Sequence, residues 1–343
     1  MPGFTLQQYD KLALLYAMAS ARAGSWLIPA YHAAWDEGIA DGHDDPQNFD
    51  LAAFAGALTT LRAALTTQTD TTPQSLSQDV GAAPAILTPA QASDMRSVCA
   101  RLQAAAPALS GGSPLLAAQT GKTYKQLYDD CDRNDVFANK RLPVHNGRRL
   151  RCSTDRNRVS HVTKYPDGTI MVTAKMSVDA DGSPVIGGSG WPNNVQTWLT
   201  FDKGATTHFV NAEEVPFIVV PIAVPETNSS FQRDAGIGKG DLAVAFTGGK
   251  CSFGVVGDAG PWFRLGEASL RTHEELDNPQ CAAPGEHPCQ RLRSGSGVGI
   301  GSDVTYIIFP GSRPQPLQSQ TVNAVAAEQG VAKTKAFLQS QGR

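Results

Sequence analysis

The sequence predicts an α+β protein: a helical N-terminal region, a compact β-barrel (the double-psi type is one form considered), and a C-terminal helix. Three observations carry that prediction. The first hundred or so residues show apolar positions at helical spacing behind recognisable caps. The composition shifts at Ser110-Gly-Gly-Ser-Pro114. Beyond it, short apolar runs are split by Gly, Pro and Asp with no long helical pattern between them, which fits a barrel better than a βαβ array. The expected domains are 1–110 (helical), 111–320 (barrel) and 321–343 (C-terminal helix).

Thr5-Leu-Gln-Gln8 resembles a capping box, and Tyr9, Leu12, Leu15, Tyr16 and Ala19 follow on one helical face. Pro29 starts or interrupts a second segment over 30–37, and a further Ala- and Leu-rich helix is expected over 51–65. Residues 66–83, rich in Thr, Gln and Ser, read as a linker or long loop. Thr88-Pro89-Ala-Gln91 supplies an N-cap, a proline at the first helical position and a capping-box glutamine, so a helix should run to about Ala106. Strands are expected at 169–174, 217–222, 242–246, 252–256 and 304–309, where the continuous apolar runs call for burial on both faces. A last helix is expected over about 321–339.

The 343 residues carry a formal net charge of −3 and show no long basic run, so neither nucleic acid nor an anionic membrane is expected as a partner. No apolar stretch is long enough to cross a bilayer as a helix. Asp10 and Lys11 interrupt the N-terminus, so no Sec-type signal is visible; secretion, or delivery to the periplasm, is then expected by a signal-independent route. Six cysteines allow three disulfides, with Cys281 and Cys289 the pair best placed to bridge, around a loop holding two prolines.

The chemistry concentrates in Phe253-Gly-Val-Val-Gly-Asp258-Ala-Gly-Pro261-Trp-Phe-Arg-Leu-Gly266-Glu267-Ala-Ser269. Two carboxylates lie nine positions apart, each directly after a glycine, around a tight turn. Glycoside hydrolysis needs such a pair: one proton donor for the leaving oxygen, one group to activate water or attack carbon. An Asp before Ala-Gly-Pro is also an ordinary turn residue. Other motifs fail. Gly121-Lys122-Thr123 lacks the upstream glycine of a P-loop, where Leu116 stands. His287 lacks zinc-ligand spacing, and His43-Asp44-Asp45 reads as a turn and cap.

Four segments in order carry a resemblance: Lys175-Met-Ser-Val-Asp179-Ala-Asp181-Gly182; Phe209 to Pro221; Gly240-Asp241 with the Asp258 and Glu267 segments; and Asp303 to Ser312. Over roughly 152–313 the chain resembles the fungal-type chitosanases of glycoside hydrolase family 75. The resemblance implies endo-acting, inverting hydrolysis of β-1,4 bonds in an amino-sugar polysaccharide, with Glu267 as general acid, Asp258 as general base, and no metal or organic cofactor. It also implies a substrate-groove role for Asp179 and Asp181, where an Asp-Gly turn is the plain alternative. Trp191 and Trp262 are candidate sugar contacts or packing residues, and Trp262 with Phe263 is a candidate apolar cover for Glu267. The extra helical front and missing signal depart from the family. In those respects the chain resembles an antibacterial effector carried by a specialised secretion machine, which would act on peptidoglycan and meet an immunity protein or the secretion apparatus. A non-catalytic carbohydrate-binding barrel is a further alternative.

Overall fold

The computed structural model describes residues 5–23, 51–67, 89–145, 147–185, 196–203, 206–227, 229–283, 285–295 and 297–343. The chain forms two compact units, Met1–Asp79 and Val80–Arg343. In the first, helices α1 (Leu6–Ala23) and α2 (Leu51–Thr67) pack through Tyr9, Ala13 and Phe54. The capping box at Thr5 forms: the Gln8 N–H donates to Thr5 Oγ1 at 3.3 Å, and the Thr5 N–H to Gln8 Oε1 at 2.7 Å. The helix expected at 30–37, the linker from residue 68 onward and the His43 turn lie outside the described residues.

The second unit holds helices α3 (Pro89–Ala105), α4 (Tyr124–Asn134), α5 (Phe231–Ala235), α6 (Leu270–Glu275) and α7 (Val322–Ser340) around a closed barrel. Its six strands are β1 (Ile170–Asp179), β2 (Phe217–Pro221), β3 (Leu242–Thr247), β4 (Lys250–Gly260), β5 (Glu267–Ser269) and β6 (Ile300–Phe309). They run in the order β1-β5-β2-β4-β3-β6, and β6 pairs back onto β1. The β1–β5 and β2–β4 pairs are parallel and the rest antiparallel.

Alternation along the strands builds two cores. Val172, Ala174, Ile218, Val220, Ala243, Ala245, Tyr306 and Ile308 fill the barrel, where alanines fit the narrow interior of a small barrel. Their neighbours Met171, Phe217, Val219, Val244, Phe246 and Ile307 face outward into a second core, to which α3 and α7 pack over β3 and β4. This packing explains where the molecule divides. The sequence grouped residues 89–105 with the N-terminal helices, but Val98, Leu102 and Ala105 belong to the outer core of the barrel, and Cys99 is disulfide-bonded to Cys251 at the β3–β4 hairpin. The boundary between the two compact units falls between Asp79 and Val80. Two further disulfides, Cys131–Cys152 and the expected Cys281–Cys289, tie loops to this unit. No helix among the described residues is long and apolar enough to cross a membrane.

Candidate active site

Asp258 lies near the end of β4 and Glu267 opens β5, with the turn Pro261–Arg264 between them. The two strands do not pair with each other; both pair with β2, which lies between them. Val219 is in register with Asp258 on one side. On the other side the Ile218–Ala268 register places Val219 opposite Glu267. Two inter-strand spacings separate the acids at the backbone, about 9.6 Å. The side chains then converge across Val219. A Cβ built on Gly260 would stand 3.0 Å from Val219 Cγ1 and 3.2 Å from Glu267 Oε2, so the missing side chain makes room for the Glu267 carboxyl.

The two glycines preceding the acids have separate reasons. Gly257 is the extra residue of a bulge between the 218–256 and 219–258 pairs, and a side chain there would drive into the Phe217 ring, 2.4 Å from its Cγ. Gly266 has a φ of +85° and approaches the Lys175 carbonyl so closely that a Cβ would lie 2.1 Å from the oxygen. Ser269 pins the far end of β5. Its hydroxyl donates to the Val215 carbonyl and accepts the N–H groups of Phe217 and Thr272, which caps α6 as well.

Asp179 ends β1, in register with Ser269. Its Oδ1 accepts the Asp181 N–H at 2.7 Å, and Asp181-Gly182 makes the expected turn. The carboxylate oxygens of Asp179, Asp181 and Asp258 lie within 4.8 Å of one another, close enough to share a cation or a substrate amine. Asp258 accepts the N–H groups of Trp198 and Ala259, both at 2.7 Å. On the opposite flank of Glu267, Lys175 reaches from β1 to Asp155, which also pairs with Arg264 at 2.9 Å.

These surroundings set the protonation states apart. Burial pushes the Glu267 carboxyl up to about 7; Lys175 opposes the rise, Asp258 and Asp181 add to it, and Arg264 opposes it. Burial, with Asp258 beside it, pushes Asp181 up to about 7. Asp179 is held well above the usual carboxylate range by burial and then by Glu267, Asp258 and Asp181. Asp258 is also raised by burial, but its two backbone donors and a hydrogen bond from Asp179 favour its anion. Glu267 thus keeps its proton up to about pH 7, while backbone donors favour the anion at Asp258, the kind of difference that acid–base chemistry uses.

The aromatic candidates fare differently. Trp262 is 7% exposed and packs edge-on against Phe137 and Phe263 in the hydrophobic core. Trp191 lies outside the described residues. Trp198 is half-buried against the core and contributes its backbone N–H to Asp258. Lys175 and Asp155 are the site residues that the sequence did not single out; Lys175 stood inside a quoted motif, but only the fold turns it toward Glu267.

No curated protein matches the chain. A family model does: residues 176–340 match the fungal chitosanases of glycosyl hydrolase group 75, from within β1 through α7, a span shifted toward the C-terminus of the 152–313 read from the motifs. Over this C-terminal region the chain is similar to the fungal chitosanases of glycosyl hydrolase group 75.

Proposed function

We propose that the protein is an endo-acting, inverting glycosidase of β-1,4-linked amino-sugar polymers, with Glu267 as general acid and Asp258 as general base. The observation that carries this reading is the pair of acids on two strands flanking β2, one protonated near pH 7 and the other held by two backbone N–H groups. Glu267 gives its proton to the leaving glycosidic oxygen. Asp258 takes a proton from a water that attacks the anomeric carbon from the opposite face. Inverting enzymes separate their carboxyls by about 6.5–9.5 Å to admit that water, a range compatible with two strand spacings narrowed by converging side chains. Asp179 and Asp181 line the same cluster and are placed to hold a sugar amine or the attacking water.

Chitosan is the substrate that the family points to. Peptidoglycan, also a β-1,4 amino-sugar strand, is the second reading, and three disulfides support action in an oxidising space such as the periplasm or the exterior. The test is product analysis by mass spectrometry after incubation with each polymer, for wild type, Glu267→Gln and Asp258→Asn. Each substitution is expected to lower kcat by roughly 10²–10⁴-fold. Activity surviving both substitutions assigns the wrong carboxylates. Tight polymer binding with no cleavage by wild type makes the barrel a carbohydrate-binding module. The rate should also fall as pH rises through about 7, where Glu267 loses its proton.

A further inference from the structure

The segment 140–158 carries seven Lys and Arg against one Asp, in a chain whose net charge is −3. Arg141, Arg148, Arg149, Arg151, Arg156 and Arg158 are all exposed. Lys140 pairs with Glu226, and Arg149 donates to the Leu142 carbonyl. The other five arginines have no ion-pair partner among the described residues. The neighbouring aspartates are already bonded: Asp132 to the N–H groups of Asn157 and Arg158, Asp135 to Ser153, Asp155 to Lys175 and Arg264.

This strip adjoins the candidate acid. Arg264 donates to the carbonyls of Arg151 and Asp155, and its guanidinium pairs with the Asp155 carboxylate that also holds Lys175. Lys175 in turn is one strand from Glu267, whose register partner on β1 is Ser177. The Arg264–Asp155–Lys175 ion pairs thus link the backbone of this segment to the surroundings of Glu267. Guanidiniums stay charged at every working pH, whereas crowded, buried carboxyls hold protons in common. The exposed, unpaired arginines therefore present positive charge on the segment that Arg264 ties to the candidate site. Such a rim repels a polycation and draws in a polyanion.

We propose that the arginine strip is an extended subsite for an amino-sugar strand that bears carboxylates, and that such a strand, rather than polycationic chitosan, is the preferred polymer. This rests on the assignment of Glu267 and Asp258 as the cleaving pair. A glycan running from the cleft across Arg151, Arg156 and Arg148 would place its acidic substituents against guanidiniums able to bind carboxylate in bidentate fashion.

The probes are purified peptidoglycan strands and fully deacetylated chitosan, tested with Arg148→Ser/Arg151→Ser/Arg156→Ser and with the corresponding triple Lys variant, each checked for an unchanged melting temperature. In the Ser variant KM for peptidoglycan strands should rise on the order of tenfold and KM for chitosan should fall. The Lys variant should recover most of the loss. Equal changes on both polymers, or none, overturn the proposal. Co-sedimentation of Glu267→Gln with peptidoglycan reads the strip without cleavage. Binding that weakens with NaCl and with the Ser substitutions supports the strip even if the cleaving pair is wrongly assigned. Binding indifferent to both, or RNA binding as tight as strand binding, overturns it.

Discussion

Burial raises the Glu267 carboxyl to about 7, with Asp258 and Asp181 adding to the rise and Lys175 and Arg264 opposing it. Asp179 and Lys175 face it from β1, Asp181 from the following turn, Asp258 from β4, Arg264 from the preceding turn and Tyr306 from β6. Lys175→Met removes the nearer cation while Arg264 keeps Asp155 paired. The Glu267 titration, read by carboxyl NMR, should then move up by on the order of one pH unit, and the alkaline limb of the rate profile with it. The same shift has a stability consequence. A carboxyl whose folded pKa is about 7 against a reference of 4.5 contributes fully below about 4.5 and loses that contribution as pH rises through 7. Glu267→Gln should therefore be more stable than wild type at pH 8, by on the order of 3 kcal/mol, and equal to it at pH 4. Denaturant titrations at the two pH values check this. At Gly260 an added methyl crowds Val219 and the Glu267 carboxyl together, so Gly260→Ala should lose kcat at least tenfold with the fold retained, as measured by rate and circular dichroism.

At the scale of elements, the site depends on β5, a strand of only three residues. Nothing in Glu-Ala-Ser announces a strand: it has no apolar run and no alternation long enough to read. The five longer barrel strands were legible because their Val, Ile and Phe runs need burial on both faces, and their expected positions overlap the observed ones, overshooting by one residue at Thr169 and at Ile222. The pair of acids was legible as a motif, but β2 lying between them was not, since strand order is a long-range fact. Helix α4 was missed for another reason. Lys122-Thr123 was weighed only as a phosphate loop, whereas Thr123 and Gln126 form a capping box. Because the Ser269 hydroxyl makes three hydrogen bonds, to the Val215 carbonyl and from the N–H groups of Phe217 and Thr272, Ser269→Ala should cost about 2 kcal/mol in stability. It should also lower kcat more than KM by loosening Glu267; chemical denaturation and steady-state kinetics read the two effects.

For the whole molecule, the barrel, α3 and α7 form one unit stapled across 152 residues by Cys99–Cys251. Closing a loop of that size stabilises by about 5 kcal/mol in the chain-entropy view, so Cys99→Ala/Cys251→Ala should melt well below wild type while its active-site residues are untouched. The arginine strip escaped a sequence search for basic runs because its charges are spread through 19 residues with apolar and turn residues between them. The account as a whole turns on two carboxyls acting from opposite faces of one sugar. Time-resolved proton NMR of the first product released from a β-1,4 polymer tests this most directly. The predicted result is the α-anomer, appearing before mutarotation and absent with Glu267→Gln. A β-anomer as the first product would contradict it.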